Sequence, residues 1–239
     1  MGIGYTRTDR LPLQMRISVV IPTLNEAAEL PATIEKLRAL PEISEVIVAD
    51  GGSTDDTVRL ASSLQCRVVY SPRGRGTQMR AGAQMAFGEV IVFLHADTWA
   101  QPDFAQAITD ALNDMGIVAG GCYKVFREPS LLMRGSRARC WIRFQFLNRF
   151  MGDQAMFVRR EVLERIGGVP DVPIMEEFEL CRALRPEGRF ALAETVVSTS
   201  ARRFRARGVI RTYVRMWRVT LQYYFGTPLD ELRRIYEKK

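Results

Sequence analysis

The chain has 239 residues, 47% of them hydrophobic and 26% charged, with a formal net charge of +7. That mix excludes a disordered, fibrous or disulfide-stapled protein and leaves room for one sizeable core. The basic surplus suits an acidic partner, whether a phosphorylated substrate, a nucleic acid or an anionic membrane, and does not choose among them. In chain order, residues 1–14 are polar and patternless and read as a flexible leader. Ile17–Ile21 is a short β-branched run that Pro22 should stop. Ala27–Leu40 has helical spacing and ends at Pro41. Glu45–Ala49 is a second buried strand. Ser53-Thr54-Asp55-Asp56 opens a helix through Leu64, with Ser53 or Thr54 as N-cap and acids in the first turn. Arg67–Tyr70 is a third strand, Gly76–Phe87 a helix and Glu89–Leu94 a fourth strand.

Strands separated by helices of this length imply βαβ units and an α/β fold with a mostly parallel, Rossmann-like sheet flanked by helices. The second half is less regular. Gly120–Phe126 and Gln154–Val158 read as strands, Arg160–Ile166 as a short helix ending at Gly167-Gly168, and Met175–Leu184 as a helix. Leu131–Phe150 is basic and aromatic. Val209–Phe225 is an amphipathic helix with Arg211, Arg215 and Arg218 on one face, and Trp217, Tyr213 and Leu221 fit a buried stripe. Packing on the domain or on a second subunit is therefore the favoured reading of that helix, with peripheral contact at a membrane surface as the other. No stretch is long and apolar enough to span a bilayer.

Cys66, Cys122, Cys140 and Cys181 make no CxxC spacing, and His95 is the single histidine. A structural zinc site and a disulfide framework are both disfavoured, and the thiols read as reduced, packed side chains of a cytoplasmic protein.

In an open parallel sheet, ligands bind at the carboxyl ends of the strands. Here those ends carry Pro22-Thr23-Leu24-Asn25-Glu26, then Asp50-Gly51-Gly52-Ser53, then Arg73-Gly74-Arg75-Gly76, then His95-Ala96-Asp97-Thr98. Four polar, acidic or glycine-rich tips converging on one crevice make a candidate site. The first is not the G-x-G-x-x-G of a dinucleotide site, and there is no Walker loop. Arg73 and Arg75, set with Gly76 before a helix start, could hold a diphosphate through guanidinium and backbone N–H groups; a plain surface turn is the other reading.

The runs ISVVIPTLNE, VIVADGGSTDDT and VIVFLHADT, in this order and spacing, resemble the family 2 glycosyltransferases of the GT-A fold over roughly residues 16–200. SPRGRGTQM, FLHADT and GDQAMFVRR look closer to a bacterial subgroup associated with arsenosugar biosynthesis. The resemblance implies a GT-A domain over 15–205, with a C-terminal helical extension over 206–239. It implies a nucleotide-sugar donor, a UDP-sugar, and an acceptor that is small or lipid-linked. Pro22, Thr23, Asn25 and Glu26 would touch the nucleotide, and Asp50, beside Gly51 and Gly52, would accept a hydrogen bond from the base.

The family's metal motif is D-x-D; here His95 replaces the first acid and Asp97 keeps the last. Asp97 is thus the implied ligand for Mg²⁺ or Mn²⁺, a single carboxylate sufficing where phosphates and water complete the shell. His95 could contact ribose or diphosphate, ligate Mn²⁺, or be a buried structural donor. The implied base for inverting transfer is Glu177, in place of the family's aspartate, with Glu176 as the fallback; a solvated acidic helix start is the bland alternative. Gly152, Asp153 and Gln154 match an acceptor-side loop. Arg80 stands where similar sequences have asparagine. Arg202, Arg203, Arg205 and Arg207 read either as a lid over the diphosphate or as a solvated basic surface. The rivals are a sugar-nucleotide pyrophosphorylase, for which PTLNE lacks the glycine-rich triphosphate loop, and a non-catalytic nucleotide-sugar-binding protein. A nucleic-acid binder ranks last and is not expected; a homodimer is left open.

Overall fold

The computed structural model describes residues 15–237, and the leader expected over 1–14 lies outside the described residues. The elements are β1 (Ile17–Thr23), α1 (Leu30–Arg38), β2 (Ile43–Asp50), α2 (Thr57–Ser63), β3 (Arg67–Tyr70), α3 (Arg75–Met85), β4 (Val90–Phe93), β5 (Thr98–Trp99), α4 (Phe104–Leu112) and β6 (Ile117–Arg127). They continue with α5 (Ser136–Leu147), β7 (Met156–Arg159), α6 (Arg160–Arg165), α7 (Glu176–Leu184), β8 (Arg189–Ser200), α8 (Arg202–Arg207), α9 (Val209–Tyr224) and α10 (Leu229–Glu237). Short 3-10 turns stand at Leu131–Met133 and Gly152–Gln154.

The strands form one eight-stranded sheet in the order β3-β2-β1-β4-β7-β6-β8-β5. The expected parallel half is there: β3, β2, β1 and β4 run parallel. Beyond it β7 enters antiparallel to both β4 and β6, while β6 and β8 pair parallel, so the sheet is mixed.

Successive residues of the central strands feed two cores. Val19, Ile21, Val48 and Val92 pack with Leu30, Ile34 and Leu37 of α1 and Phe104, Ile108 and Leu112 of α4. Val20, Ile47, Ala49, Ile91 and Phe93 pack on the other face with Met79 of α3, Val162 and Leu163 of α6, and Leu180 and Leu184 of α7. Burial on both faces is why these strands read as unbroken apolar runs rather than alternating ones. All four cysteines are unpaired, and burial pushes the Cys181 thiol up to about 11. No helix among the described residues is long and apolar enough to cross a membrane.

Several boundaries differ from expectation. Pro22 does not stop β1, which runs on to Thr23 in register with Asp50. The Val20 carbonyl accepts from Leu94 on the β4 side, and Pro22, two residues on, faces that side beyond the end of β4. Its missing N–H therefore costs no ladder bond. Helix α1 starts at Leu30 instead of Ala27, because the segment before it is tied down as a loop. Neither Ser53 nor Thr54 caps α2: Asp56 is the N-cap, while Asp55 Oδ1 accepts from the Thr57 backbone N–H at 3.0 Å. Gln154 belongs to the 3-10 turn, and β7 starts two residues later.

The stripe expected to bury α9 is also redrawn. Val209, Tyr213 and Met216 pack against Phe126, Met133 and Phe204, and Val219 is buried as well, but Trp217 is 68% exposed and Leu221 39%. The helix has two apolar faces, and the domain takes only one of them.

Candidate functional site

The tips of β2, β1 and β4 are neighbours in the sheet, so the loops that follow them share one crevice. At the first tip, Asn25 holds a left-handed backbone (φ 56°) and turns its side chain to the next loop. Its Oδ1 accepts the Thr54 N–H at 2.8 Å, and its own N–H donates to Ser53 Oγ at 2.9 Å. Left-handed Asn is favourable because the short polar side chain hydrogen-bonds locally. Gln78 of α3 stitches the two tips together, donating to the carbonyls of Thr23 and Ala49 at 2.6 and 2.9 Å.

Asp50 is 1% exposed and fully engaged. Oδ2 accepts the N–H groups of Gly52 (2.9 Å) and Ser53 (2.8 Å), and Oδ1 accepts the hydroxyls of Ser53 (2.5 Å) and Thr23 (3.1 Å). Its first task is thus to hold its own loop. The expected hydrogen bond from a base imide would need a lone pair that one of these hydroxyls occupies. Gly52 has φ 91°, a conformation that glycine adopts at no steric cost.

At the third tip the two arginines part company. Arg73 is exposed, with no ion pair or hydrogen bond among the described residues. Arg75, the first residue of α3, turns inward onto helix α7. Its Nε lies 3.0 Å from Glu176 Oε1 and its Nη2 lies 2.6 Å from Glu177 Oε1. Both contacts are close but bent, so Arg75 Nε and Glu177 Oε1 lack an aligned hydrogen bond. Burial alone would pull the guanidinium pKa down, but Glu177, Glu176, Asp153 and Asp97 together reverse this and keep it charged. Gly76 packs so tightly that a Cβ would sit 3.1 Å from the carbonyls of Pro170 and Val172.

At the fourth tip Asp97 is 6% exposed. Its Oδ1 lies 3.9 Å from His95 Nδ1, and its Oδ2 lies 3.5 Å from Arg202 Nε. Arg202 also grips Glu26, with Arg203 3.7 Å from the same carboxylate. Burial and then the charges of Arg75, Arg203, Lys124 and Arg202 push the His95 pKa well down, so the imidazole is neutral and its contact with Asp97 is no ion pair. His95 Nε2 is buried without a partner. The four cations around this histidine are themselves paired with Glu26, Asp97, Asp153, Glu176 and Glu177, so the pocket is lined by charge of both signs. Ala96 serves through its backbone, its carbonyl accepting the Thr33 hydroxyl at 2.6 Å.

Could this pocket hold a divalent cation? Among the described residues no three His, Cys, Asp or Glu side chains converge to hold a metal unaided. One carboxylate beside a neutral imidazole with an orphan nitrogen fits a cation carried in on phosphate oxygens and water, not one caged by protein alone.

Gly152, Asp153 and Gln154, expected on the acceptor side, pack beside Arg75 and Glu177. Asp153 pairs with Lys124; burial raises its pKa, but Lys124, Arg143 and Arg75 outweigh this and keep it ionised. Asp153 Oδ1 is left without a partner. Gln154 is fully buried, takes a hydrogen bond from Arg143 and donates to the Cys122 carbonyl at 3.0 Å. Gly152 is wedged against the acids: a Cβ there would lie 2.3 Å from both Arg75 Nη2 and Glu177 Oε1. Gly152→Ala is accordingly expected to cost about 1–3 kcal/mol of stability by overpacking and to displace Glu177, lowering activity with it. Thermal unfolding beside an activity assay checks this.

Glu176 and Glu177 open α7, behind a left-handed Met175. Glu177 is 7% exposed. Burial pushes its carboxyl up to about 7; Arg75 and its own backbone N–H oppose the shift, and Glu176 and Asp153 add to it.

Lys124 and Arg143 were not singled out in the sequence. Lys124 did leave a signal, a lone charge inside the apolar run AGGCYKVF, where an inward lysine needs a partner. Arg143 left none, being one arginine among many in a basic helix.

Comparison with known proteins gives the family and the fold. The family model described as "Glycosyl transferase family 2" matches residues 18–167. An uncharacterized glycosyltransferase of Mycobacterium tuberculosis is 38% identical over 82 residues, 34% of this chain and 36% of that protein. The matched segment thus spans only about a third of that curated relative. A crystal structure of glucosyl-3-phosphoglycerate synthase from M. tuberculosis, in complex with Mn²⁺, UDP and glucosyl-3-phosphoglycerate, is 25% identical with a TM-score of 0.58, covering 78% of this chain and 70% of that one. A mannosyltransferase from Pyrobaculum calidifontis, in complex with GDP-Man and Mn²⁺, shares the fold at 20% identity, with a TM-score of 0.64 over 95% of this chain and 75% of that one.

Proposed function

The chain belongs to glycosyl transferase family 2, and from that premise we propose that it moves a sugar with inversion from a nucleoside diphosphate, a UDP-sugar, to an acceptor hydroxyl, with Mg²⁺ or Mn²⁺ bound at Asp97. The observation that carries this reading is Glu177. It is a buried carboxyl with its pKa raised to about 7, in contact with an arginine whose charge also feels Asp97 and Asp153. A base poised near the working pH takes the acceptor's proton most effectively. Pro22, Thr23, Asn25, Glu26 and the Asp50 loop receive the nucleotide. A cation at Asp97 supplies charge neutralisation for the leaving diphosphate. Arg202, Arg203 and Lys124 add donors and positive charge on the same side. Asp153, with one oxygen free, meets a hydroxyl of the transferred sugar or the acceptor. The narrower subgroup, associated with arsenosugar biosynthesis, is proposed on SPRGRGTQM, FLHADT and GDQAMFVRR alone.

Arg202 bridges Glu26 and Asp97, so nucleotide and cation binding at these acids competes with that bridge. Thermal shift with UDP and GDP, each with Mn²⁺, with Mg²⁺ and with chelator, tests this. At a hundredfold excess over Kd the stabilisation is about 2.7 kcal/mol, or roughly 5–10 °C for a chain of this size. Asp97→Asn is expected to remove the metal-dependent part of that shift and leave the metal-free part. If neither nucleotide shifts the midpoint with either metal, the donor assignment fails. Release of nucleoside diphosphate rather than pyrophosphate in the transfer assay separates the activity from a pyrophosphorylase.

A further inference from the structure

Helix α9 carries an apolar stripe that the domain does not cover. Ile210, Val214, Trp217, Leu221 and Tyr224 recur at three- and four-residue spacing, and all are exposed, Trp217 at 68%. That spacing puts them on one helix face. Val209, Tyr213 and Met216 face the domain, and α10 closes another side, where Arg215 Nη1 donates to the Tyr236 carbonyl. The stripe is extended at its start by exposed Leu131 and Leu132, which line a shallow groove with Val209, Ile210 and Arg211. It ends at Phe225, 80% exposed.

The charge around the stripe says what fits it. Helix α9 carries Arg211, Arg215 and Arg218 and no Asp or Glu. Between Pro129 and Gly152 the chain has five arginines and again no acid. The second segment is tied to α9: Arg139 Nη2 donates to the Tyr213 hydroxyl at 3.3 Å, and Arg149 lies over the rings of Tyr223 and Tyr224. A second copy docking stripe to stripe would bring the arginines of α9 against their own copies. An interfacial helix that enters anionic lipid has this make-up: aromatic and aliphatic residues on the face that enters, and a row of arginines beside it.

We infer that the α9 stripe, with Leu131 and Leu132, docks the protein on the surface of an anionic lipid bilayer. Docking involves no transfer chemistry, so this surface stands or falls apart from the proposed activity. The test is co-sedimentation with vesicles of equal parts phosphatidylcholine and phosphatidylglycerol, against vesicles of phosphatidylcholine alone. The full chain is expected to pellet with the former, to lose most of that binding at high salt, and to stay in the supernatant with the latter. The pair Val214→Asp and Trp217→Asp should abolish pelleting, and Arg211→Gln and Arg218→Gln should each weaken it about fivefold. All four side chains lie outside the candidate site, so the variants should keep the wild-type unfolding midpoint and nucleotide-induced shift. Failure of the wild type to pellet with the anionic vesicles overturns the inference, as does pelleting that survives the Asp pair. A concentration-dependent dimer in sedimentation velocity that the Asp pair dissolves overturns it too, and gives the stripe to a second copy.

Discussion

Glu177→Gln is expected to cut transfer by about 10²–10⁴-fold while leaving nucleotide binding in place. The amide keeps the shape and the contact with Arg75 but cannot take the acceptor's proton. The loss should therefore fall on kcat, with the UDP-induced thermal shift unchanged. The wild-type rate should rise with pH through about 7, as Glu177 ionises. The residual rate of the variant should lack that limb. Glu176→Gln is the control: if it shows the larger loss, the two acids exchange roles.

The same residue leaves a mark on stability. Its folded-state pKa is raised above the ordinary value of 4.5, so between about 4.5 and 7 the folded chain binds more protons than the unfolded one. Stability from this group then falls as pH rises across that window, and Glu177→Gln should flatten the slope. His95 acts with the opposite sign. Its pKa is pushed well below 6.5, so the unfolded chain binds the extra proton and stability falls as pH drops below about 6.5. His95→Asn separates the two contributions.

The parallel half of the fold was legible because its strands are buried on both faces and read as continuous apolar runs with a ligand-bearing tip after each. β8 was not. Its buried positions are Phe190, then, three residues on, Ala193, Thr195, Val197 and Thr199, so the alternation changes phase within the strand. Small and hydroxyl side chains at the inward positions carry too little hydrophobic contrast for a period to show. At the site, Asp97, Glu176 and Glu177 could be picked out as acids at strand and helix ends. The partners that set their chemistry could not. Lys124 lies 29 residues from Asp153, and Arg75 is about a hundred residues from the acids it holds. Such pairs exist only once the fold has brought β6 against the turn that precedes β7, and α3 against the first turn of α7. The expectation that Arg75 was a phosphate hook missed this, since a residue's neighbours across a fold leave no local pattern.

Arg75→Met is expected to be the most destabilising substitution in the site, by about 3–5 kcal/mol at pH 8. The guanidinium stands at the first position of α3, where the helix dipole disfavours a cation, so helix stability does not explain it. Its contacts do: it lies within 3.0 Å of both Glu176 and Glu177, which are 8% and 7% exposed. Methionine fills most of the volume and leaves two buried carboxylates facing each other without a counter-charge. Glu177 then escapes by holding its proton to higher pH, so the pH limb of any remaining activity should move alkaline from about 7. With that folded-state pKa raised further, the stability deficit must grow with pH, small near pH 5 and largest above pH 8. Urea unfolding at the two extremes measures it. Arg75→Lys, one charge that cannot bridge both acids, should fall between. The double variant Arg75→Met with Glu177→Gln should recover much of the loss, because it removes one of the two stranded charges. Equal stability of Arg75→Met and the wild type at pH 8 would mean that the arginine is not what holds the Glu177 pKa down against burial, and the base assigned to Glu177 would lose its physical support.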